Sequence, residues 1–194
     1  MHALLLLFAC ADNPADLAPA AGIKEPSAAP EGPVGPVGKP VEVDAAASSI
    51  RFVGAKVTGS HDGLFSTFEG RVYVDAGVVT GTEFTIDTGS VWADAEDLTS
   101  HLKDEDFFFV EKFPTATFKS TSIQDGTVTG VLDFRGVQKE LSFPATIEST
   151  EAGTTLRAEF SLNRKDWGVM YAGKADNLIE DLVLIRLDLA FPAA

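Results

Sequence analysis

The sequence predicts an all-β domain of about eight antiparallel strands, either closed as a barrel or stacked as a sandwich, with one short helix segment. Three observations carry that prediction. Apolar and polar residues alternate with period two along most of the chain, turn residues separate the alternating runs, and no proline occurs from Val41 to Phe113.

The strands can be followed in order. A first strand lies around 50–57. Leu64, Phe68, Val72 and Val74 share one face of the next run, opposite Thr67, Glu69, Arg71 and Asp75. Phe84, Ile86 and Trp92 alternate with Glu83, Thr85 and Asp87, and a further strand covers 115–122. Val128, Leu132 and Phe134 alternate with Thr129, Asp133 and Arg135. Leu141, Phe143, Ala145 and Ile147 alternate with Ser142, Thr146 and Glu148, and Leu156, Phe160 and Leu162 with Arg157 and Glu159. Val183, Ile185, Leu187, Leu189 and Phe191 form the last face, with Arg186 and Asp188 behind it. Successive side chains of a strand point to opposite faces, so each run reads as half-buried. Asp62-Gly63, Asp75-Ala76-Gly77, Asp125-Gly126 and Ala152-Gly153 supply the positive φ angles of tight turns. A helix is predicted over 98–110, with Thr99 or Ser100 as its cap and Pro114 as its stop.

Composition sets the domain boundary. Seven of the ten prolines precede Val41, so residues 41–192 read as one folded domain and residues 11–40 as an extended Ala/Pro/Gly-rich tether. The net charge is −14, and no basic stripe offers a surface for phosphates, which argues against nucleic acid as a partner. The first ten residues read as an export signal. An apolar run from Ala3 to Ala9 ends at Cys10, the only cysteine, and Leu7-Phe8-Ala9-Cys10 looks like a lipobox. Acylated Cys10 would anchor the protein to a membrane, and export places it in the periplasm or cell envelope.

Four stretches carry a family resemblance. Gly63-Leu64-Phe65-Ser66-Thr67-Phe68-Glu69-Gly70 is the first. The second runs from His101-Leu102 through Asp106-Phe107-Phe108 to Phe113-Pro114, and then Ala116-Thr117-Phe118-Lys119-Ser120. The third is Gly130-Val131-Leu132-Asp133-Phe134-Arg135-Gly136-Val137-Gln138-Lys139, and the fourth Asn163-Arg164-Lys165-Asp166-Trp167-Gly168. Together they resemble the YceI-like family of bacterial envelope proteins, the polyisoprenoid-binding, lipocalin-like group. The chain departs from the family pattern at Lys56, where a histidine is common, and at Asp97-Leu98-Thr99-Ser100, where an Arg-Asp pair often precedes His-Leu.

The resemblance implies an eight-stranded lipocalin-like barrel whose lumen holds a polyisoprenoid or isoprenoid quinone. It also implies dimers and association with membrane cytochrome-b-type proteins. The residues expected to line the lumen are Phe52, Phe68, Val72, Phe84, Ile86, Trp92, Phe108, Phe118, Leu132, Phe134, Phe143, Phe160, Trp167 and Ile185. The same faces would serve equally as a solid core. Phe107, Phe108, Phe109 and Phe113 suit either a cap on the barrel mouth or a seam docking the helix.

The remaining polar groups suggest little chemistry. His101 and Glu105 have the i, i+4 helical spacing of two metal ligands, but a structural zinc site wants four. Asp104 and Asp106 stand two apart and would not face each other on a helix. Arg164, Asp166 and Trp167 would form either a head-group rim or a local ion pair with a tryptophan plug. No Gly-x-Ser-x-Gly elbow occurs. The expectation is a non-enzymatic lipid binder with no catalytic residue, metal or cofactor, and the alternatives are an enzyme acting on an isoprenoid lipid or a scaffold or adhesion barrel without ligand.

Overall fold

The computed structural model describes residues 13–26 and 36–193. Its strands are β1 (Gly22–Lys24), β2 (Lys39–Glu42), β3 (Ser49–Lys56), β4 (Gly59–Phe65), β5 (Phe68–Asp75), β6 (Val78–Asp87) and β7 (Val91–Ala93). After the helix α1 (Glu96–Lys103) come β8 (Thr115–Gln124), β9 (Thr127–Phe134), β10 (Val137–Pro144), β11 (Thr146–Thr150), β12 (Gly153–Asn163), β13 (Gly173–Lys174) and β14 (Asn177–Pro192).

Two antiparallel sheets result. One runs β1-β10-β9-β8-β6-β5-β2, and the other β11-β12-β14-β3-β4-β7, with β13 against the start of β14. Three chain segments turn the corner between them: β4 into β5 at Ser66-Thr67, β6 into β7 through a 3-10 turn at Thr88–Ser90, and β10 into β11 at Ala145. Counting each bent segment as one strand, and setting aside the short β1, β2 and β13, gives the expected lipocalin-like, eight-stranded architecture. Proline at the β10–β11 corner fits this geometry, because a corner residue has no ladder bond to lose.

The ladder does not seal the ring completely. β11 pairs with β12 only over Gly153 to Arg157. Beyond that the N-terminal segment fills the gap between the sheets. β1 pairs with β10 from Gly22↔Ser142 to Lys24↔Glu140. Just before it, Ala21 N–H donates to Ser161 O at 2.8 Å, and Ser161 N–H donates to Pro19 O at 2.9 Å.

This corrects the expected tether. Residues 13–24 are docked, and β2 pairs with β5 from Lys39 onward. The cause is on the barrel's outer face, where Val53, Leu182 and Leu184 would otherwise meet water. Ala15 is 1% exposed and packs there with Leu184 and Val53, and Ala18 joins them. Asn13 holds the turn by accepting from Ala15 N–H and donating to Leu182 O at 3.2 Å.

The helix is also shorter than predicted, and Thr99 does not cap it. Its N-cap is Ala95, without a side-chain bond, while Thr99 Oγ1 donates to Ala93 O and Ala95 O. The helix stops at Lys103, and the following turns aim two phenylalanines inward. Phe108 N–H donates to Leu102 O, and Phe109 takes a φ of +50°.

Packing divides the interior. The pole that holds the β5–β6 turn is solid, built from Val72, Val79, Phe84, Leu156, Leu189 and Phe191. The pole that holds α1 is roofed by Leu102, Phe107 and Val169. The candidate site lies between them.

Candidate functional site

A cavity of about 230 Å³ occupies the barrel between the solid core and the roof. Its walls are almost entirely hydrocarbon and aromatic. Phe52, Phe65, Phe108 and Phe134 form a chain of tilted and edge-on contacts, with centroids 5.4 to 6.1 Å apart. On the other wall Phe143 stacks on Phe160 at 4.4 Å and leans on Phe118 at 5.7 Å. Such ring pairs contribute roughly 0.5–1.5 kcal/mol each beyond area burial.

Eleven of the fourteen expected lumen residues line this cavity: Phe52, Phe84, Ile86, Phe108, Phe118, Leu132, Phe134, Phe143, Phe160, Trp167 and Ile185. Val72 and Phe68 do not. Val72 is fully buried in the solid core and Phe68 packs against that core. Trp92 is 51% exposed and points away from the lumen. The 3-10 turn at Thr88–Ser90 changes the strand's parity, so Phe84 and Ile86 face inward on β6 while Val91 and Ala93 face inward on β7. Asp87 builds that turn by accepting from Gly89 N–H at 2.8 Å.

The β4–β5 corner does the same. Phe65 lines the cavity, whereas Leu64 lies opposite Arg51 and Trp92 on the outer face. The sequence reading placed Leu64 inside because it carried one parity across Ser66-Thr67. That polar pair between two phenylalanines was the available signal. Leu102, Phe107, Val169, Ile179 and Val183 also reach the cavity.

Arg164 is the buried charge at the roof end. It is 6% exposed and borders the cavity. Its guanidinium donates from Nη1 to Val169 O at 2.6 Å, from Nε to Glu180 O at 3.0 Å and from Nη2 to Ile179 O at 3.3 Å. Burial lowers its pKa from the ordinary value, and Asp181, 3.6 Å away, opposes that shift. The fan of three carbonyls pins the loop after β12 to the start of β14. Trp167 is 1% exposed, donates to Leu132 O at 3.3 Å and plugs the lumen beside it. Asp166 is exposed, so the three residues do not form one rim.

The other singled-out groups lie at or outside the roof. Phe107 is buried there, and Arg135 Nη1 donates to its carbonyl. Phe109 and Phe113 pack edge-on at 6.0 Å under the Lys112 ammonium, away from the cavity. His101 does not pair with Glu105. Its Nε2 meets Asp106 Oδ2 at 2.9 Å, and its ring stands edge-on to Phe107 and Tyr171. Asp104 and Asp106 are both exposed. His61 Nδ1 lies 2.7 Å from Asp94 Oδ1. Burial would raise the Asp94 pKa, but hydrogen bonds from His61 and the Asp62 N–H outweigh it and leave the carboxyl below its ordinary value. Among the described residues no group of three or more His, Cys, Asp and Glu side chains is placed to hold a metal. Cys10 lies outside the described residues.

Comparison with known proteins gives the family. A UPF0312 protein of Pseudomonas putida is 30% identical over 131 residues, 61% of this chain and 68% of that protein. The fold is similar to that of BcnA from Burkholderia cenocepacia, with a TM-score of 0.69, 24% identity and coverage of 76% of this chain and 98% of that one. It is similar too to a polyisoprenoid-binding domain from Saccharophagus degradans, with a TM-score of 0.67, 18% identity and coverage of 80% and 100%. The sequence model of the YceI-like domain matches residues 42–191, which is most of the chain and all eight barrel strands, and the protein therefore belongs to the YceI-like family.

Proposed function

We propose that this protein binds a long apolar lipid of the polyisoprenoid or isoprenoid-quinone type in the barrel lumen, and sequesters or carries it at the cell envelope. The observation that carries this reading is the cavity itself, an aromatic and aliphatic space bounded by Phe52, Phe108, Phe118, Phe134, Phe143 and Phe160. Each methylene moved from water into such a space gains about 0.8 kcal/mol, so chain length alone provides affinity. The guanidinium of Arg164 is directed at three backbone carbonyls, so its hydrogen bonds are spent within the protein. The polyisoprenoid-binding domain among the structural neighbours supports the same ligand class.

The cavity's 230 Å³ falls just below the roughly 300–1,000 Å³ of ordinary small-molecule pockets. A long chain therefore fits by turning aside rings such as Phe108, or by leaving part of its length outside the roof. Cys10 as an acylated anchor, export to the envelope, pairing of two copies and association with cytochrome-b-type membrane proteins complete the reading.

The test is organic extraction of protein purified from its own host, with native mass spectrometry of the intact complex. An apolar lipid bound at one per barrel is the expected result. A ligand-free barrel from its own membrane environment would instead support a filled scaffold, and turnover of an extracted lipid would support an enzyme.

A further inference from the structure

The lumen ends on residues that also belong to the solid pole. Among the described residues of that buried core, only Ile50, Phe84 and Leu189 line the cavity as well. Ile50 on β3 and Leu189 on β14 reach it from one sheet, and Phe84 on β6 from the other. Phe84 is the largest of the three and is 8% exposed.

The Phe84 ring is fixed from behind. Gly70 stands directly across from it in the β5–β6 ladder, and a methyl group on Gly70 would overlap two carbons of the ring and the Glu83 carbonyl oxygen. The ring therefore lies over the β5 backbone, in the space a side chain would take. Phe191 meets it with centroids 6.4 Å apart, and Val72, fully buried, follows Gly70 on the same face of β5. The roof is built differently. Phe108 lies on the turns after α1 and is half-buried, so it has room to turn aside. Phe84 sits on a strand between β5 and β8 with a close-packed core at its back, and such cores have no spare volume to yield. A chain that enters past the movable end stops at the fixed one.

We propose that Phe84 is the floor of the lumen and sets the length of lipid chain that the barrel buries. This selection of length rests on the lipid-binding reading above. Each methylene that enters the lumen raises affinity roughly fourfold. Once the end of the chain meets the Phe84 ring, further carbons stay outside the roof and add nothing. Affinity should climb with chain length and then break to a plateau, and the position of the break belongs to Phe84.

The two tryptophans of the chain supply the readout. Trp167 lines the cavity and Trp92 is exposed on the outer face, so Trp92→Phe leaves one reporter in the lumen. In that background the full chain is titrated with isoprenoid alcohols that lengthen by one isoprene unit at a time, and Trp167 fluorescence gives each affinity. Phe84→Ala should move the break to chains at least one unit longer and raise their affinity by about tenfold or more. Ile86→Phe, at the next inward position of β6 toward the roof, should move the break to shorter chains. Val72→Ala makes its hole behind the floor and should leave the break in place. A break that stays put in Phe84→Ala, one that Val72→Ala moves as far, or affinity that climbs without a break would overturn the floor and leave the lipid-binding reading standing. No response to an alcohol of any length would overturn both. Cooperative melting without ligand establishes that each variant is folded, and Phe84→Leu takes the place of Phe84→Ala if the larger hole unfolds the barrel.

Discussion

Gly63 lies directly across from Phe52 in the β3–β4 ladder, and a methyl group on Gly63 would stand within 2.7 Å of three carbons of the Phe52 ring. The glycine is therefore a seat for the aromatic ring. Its missing side chain lets Phe52 lie across the neighbouring strand and reach both Phe65 and Phe108. Gly63→Ala should displace the ring and cost about 1–3 kcal/mol, the usual penalty of overpacking. Phe52→Leu in the same chain should recover part of the loss. A urea midpoint for each variant decides it, and an unchanged midpoint for Gly63→Ala would remove the ring's role in shaping the lumen.

The split between a solid pole and a hollow one predicts two kinds of mutant. Leu156 is 1% exposed in the solid core, and Leu156→Ala should cost about 2–5 kcal/mol whether or not lipid is present. Leu132 lines the cavity, where Leu132→Asn sets an unpaired amide beside the ligand and disfavours the bound state. Its lipid affinity should fall much more than its ligand-free urea midpoint. If both variants lose stability alike and neither changes lipid binding, the cavity is not the binding site.

Much of this arrangement is legible in the alternation of residues, and two of the failures share a cause. Period two predicts orientation only while a strand stays regular. Phe84, Leu132, Phe143 and Ile185 follow that alternation and line the cavity, whereas Trp92 and Leu64 lie on the sides of corners where the parity changes. The docked N-terminal segment was hidden by composition, because Ala and Pro bury little area themselves. The signal lay elsewhere. Leu182-Val183-Leu184-Ile185 is apolar on both faces, and an outward-facing Leu184 that is 1% exposed must be covered by something. The helix end was misread because three successive phenylalanines look like continued helix, whereas leaving the helix lets both Phe107 and Phe108 turn inward.

Arg164 tests whether a buried cation can be structural inside a lipid-binding barrel. Its three carbonyl partners belong to Val169, Ile179 and Glu180, so losing the guanidinium leaves several acceptors unpaired at once. Arg164→Met should cost about 3 kcal/mol or more, since each buried group left unpaired costs about 1–3. Arg164→Lys should rescue little, because one ammonium cannot match the planar fork. If Arg164→Lys keeps the wild-type melting temperature but loses lipid, the residue reads a head group instead.

Cys10 should decide membrane attachment in the native host. Acyl chains supply most of the membrane affinity of an anchored protein, so Cys10→Ala should move the protein largely to the soluble fraction after cell disruption. Intact-mass measurement of the wild type should show a chain starting at Cys10 with added acyl mass. A wild type that retains residues 1–9 without acyl mass would end the anchor reading.

The docked N-terminal segment makes the sharpest demand on stability, because two nearby positions should respond oppositely. Ala15 is 1% exposed against Val53 and Leu184, and Leu17, two residues on, is 83% exposed. Ala15→Asp would press a carboxylate into a hydrocarbon contact with no partner, costing about 1–3 kcal/mol. For a chain of 194 residues each kcal/mol lowers the melting temperature by roughly 2–4 °C, so the fall should be several degrees. Leu17→Asp should stay within about 0.5 kcal/mol of wild type, as surface changes do. The two substitutions add the same charge to the same segment, so a difference between them reports docking and not composition. Docking also leads to an effect at a distance. The segment bridges Ser161 on one sheet and Ser142 on the other, so undocking should speed amide exchange at both positions. Equal, small effects of Ala15→Asp and Leu17→Asp, with no change in exchange at Ser142 or Ser161, would mean that residues 13–24 are a free tether after all.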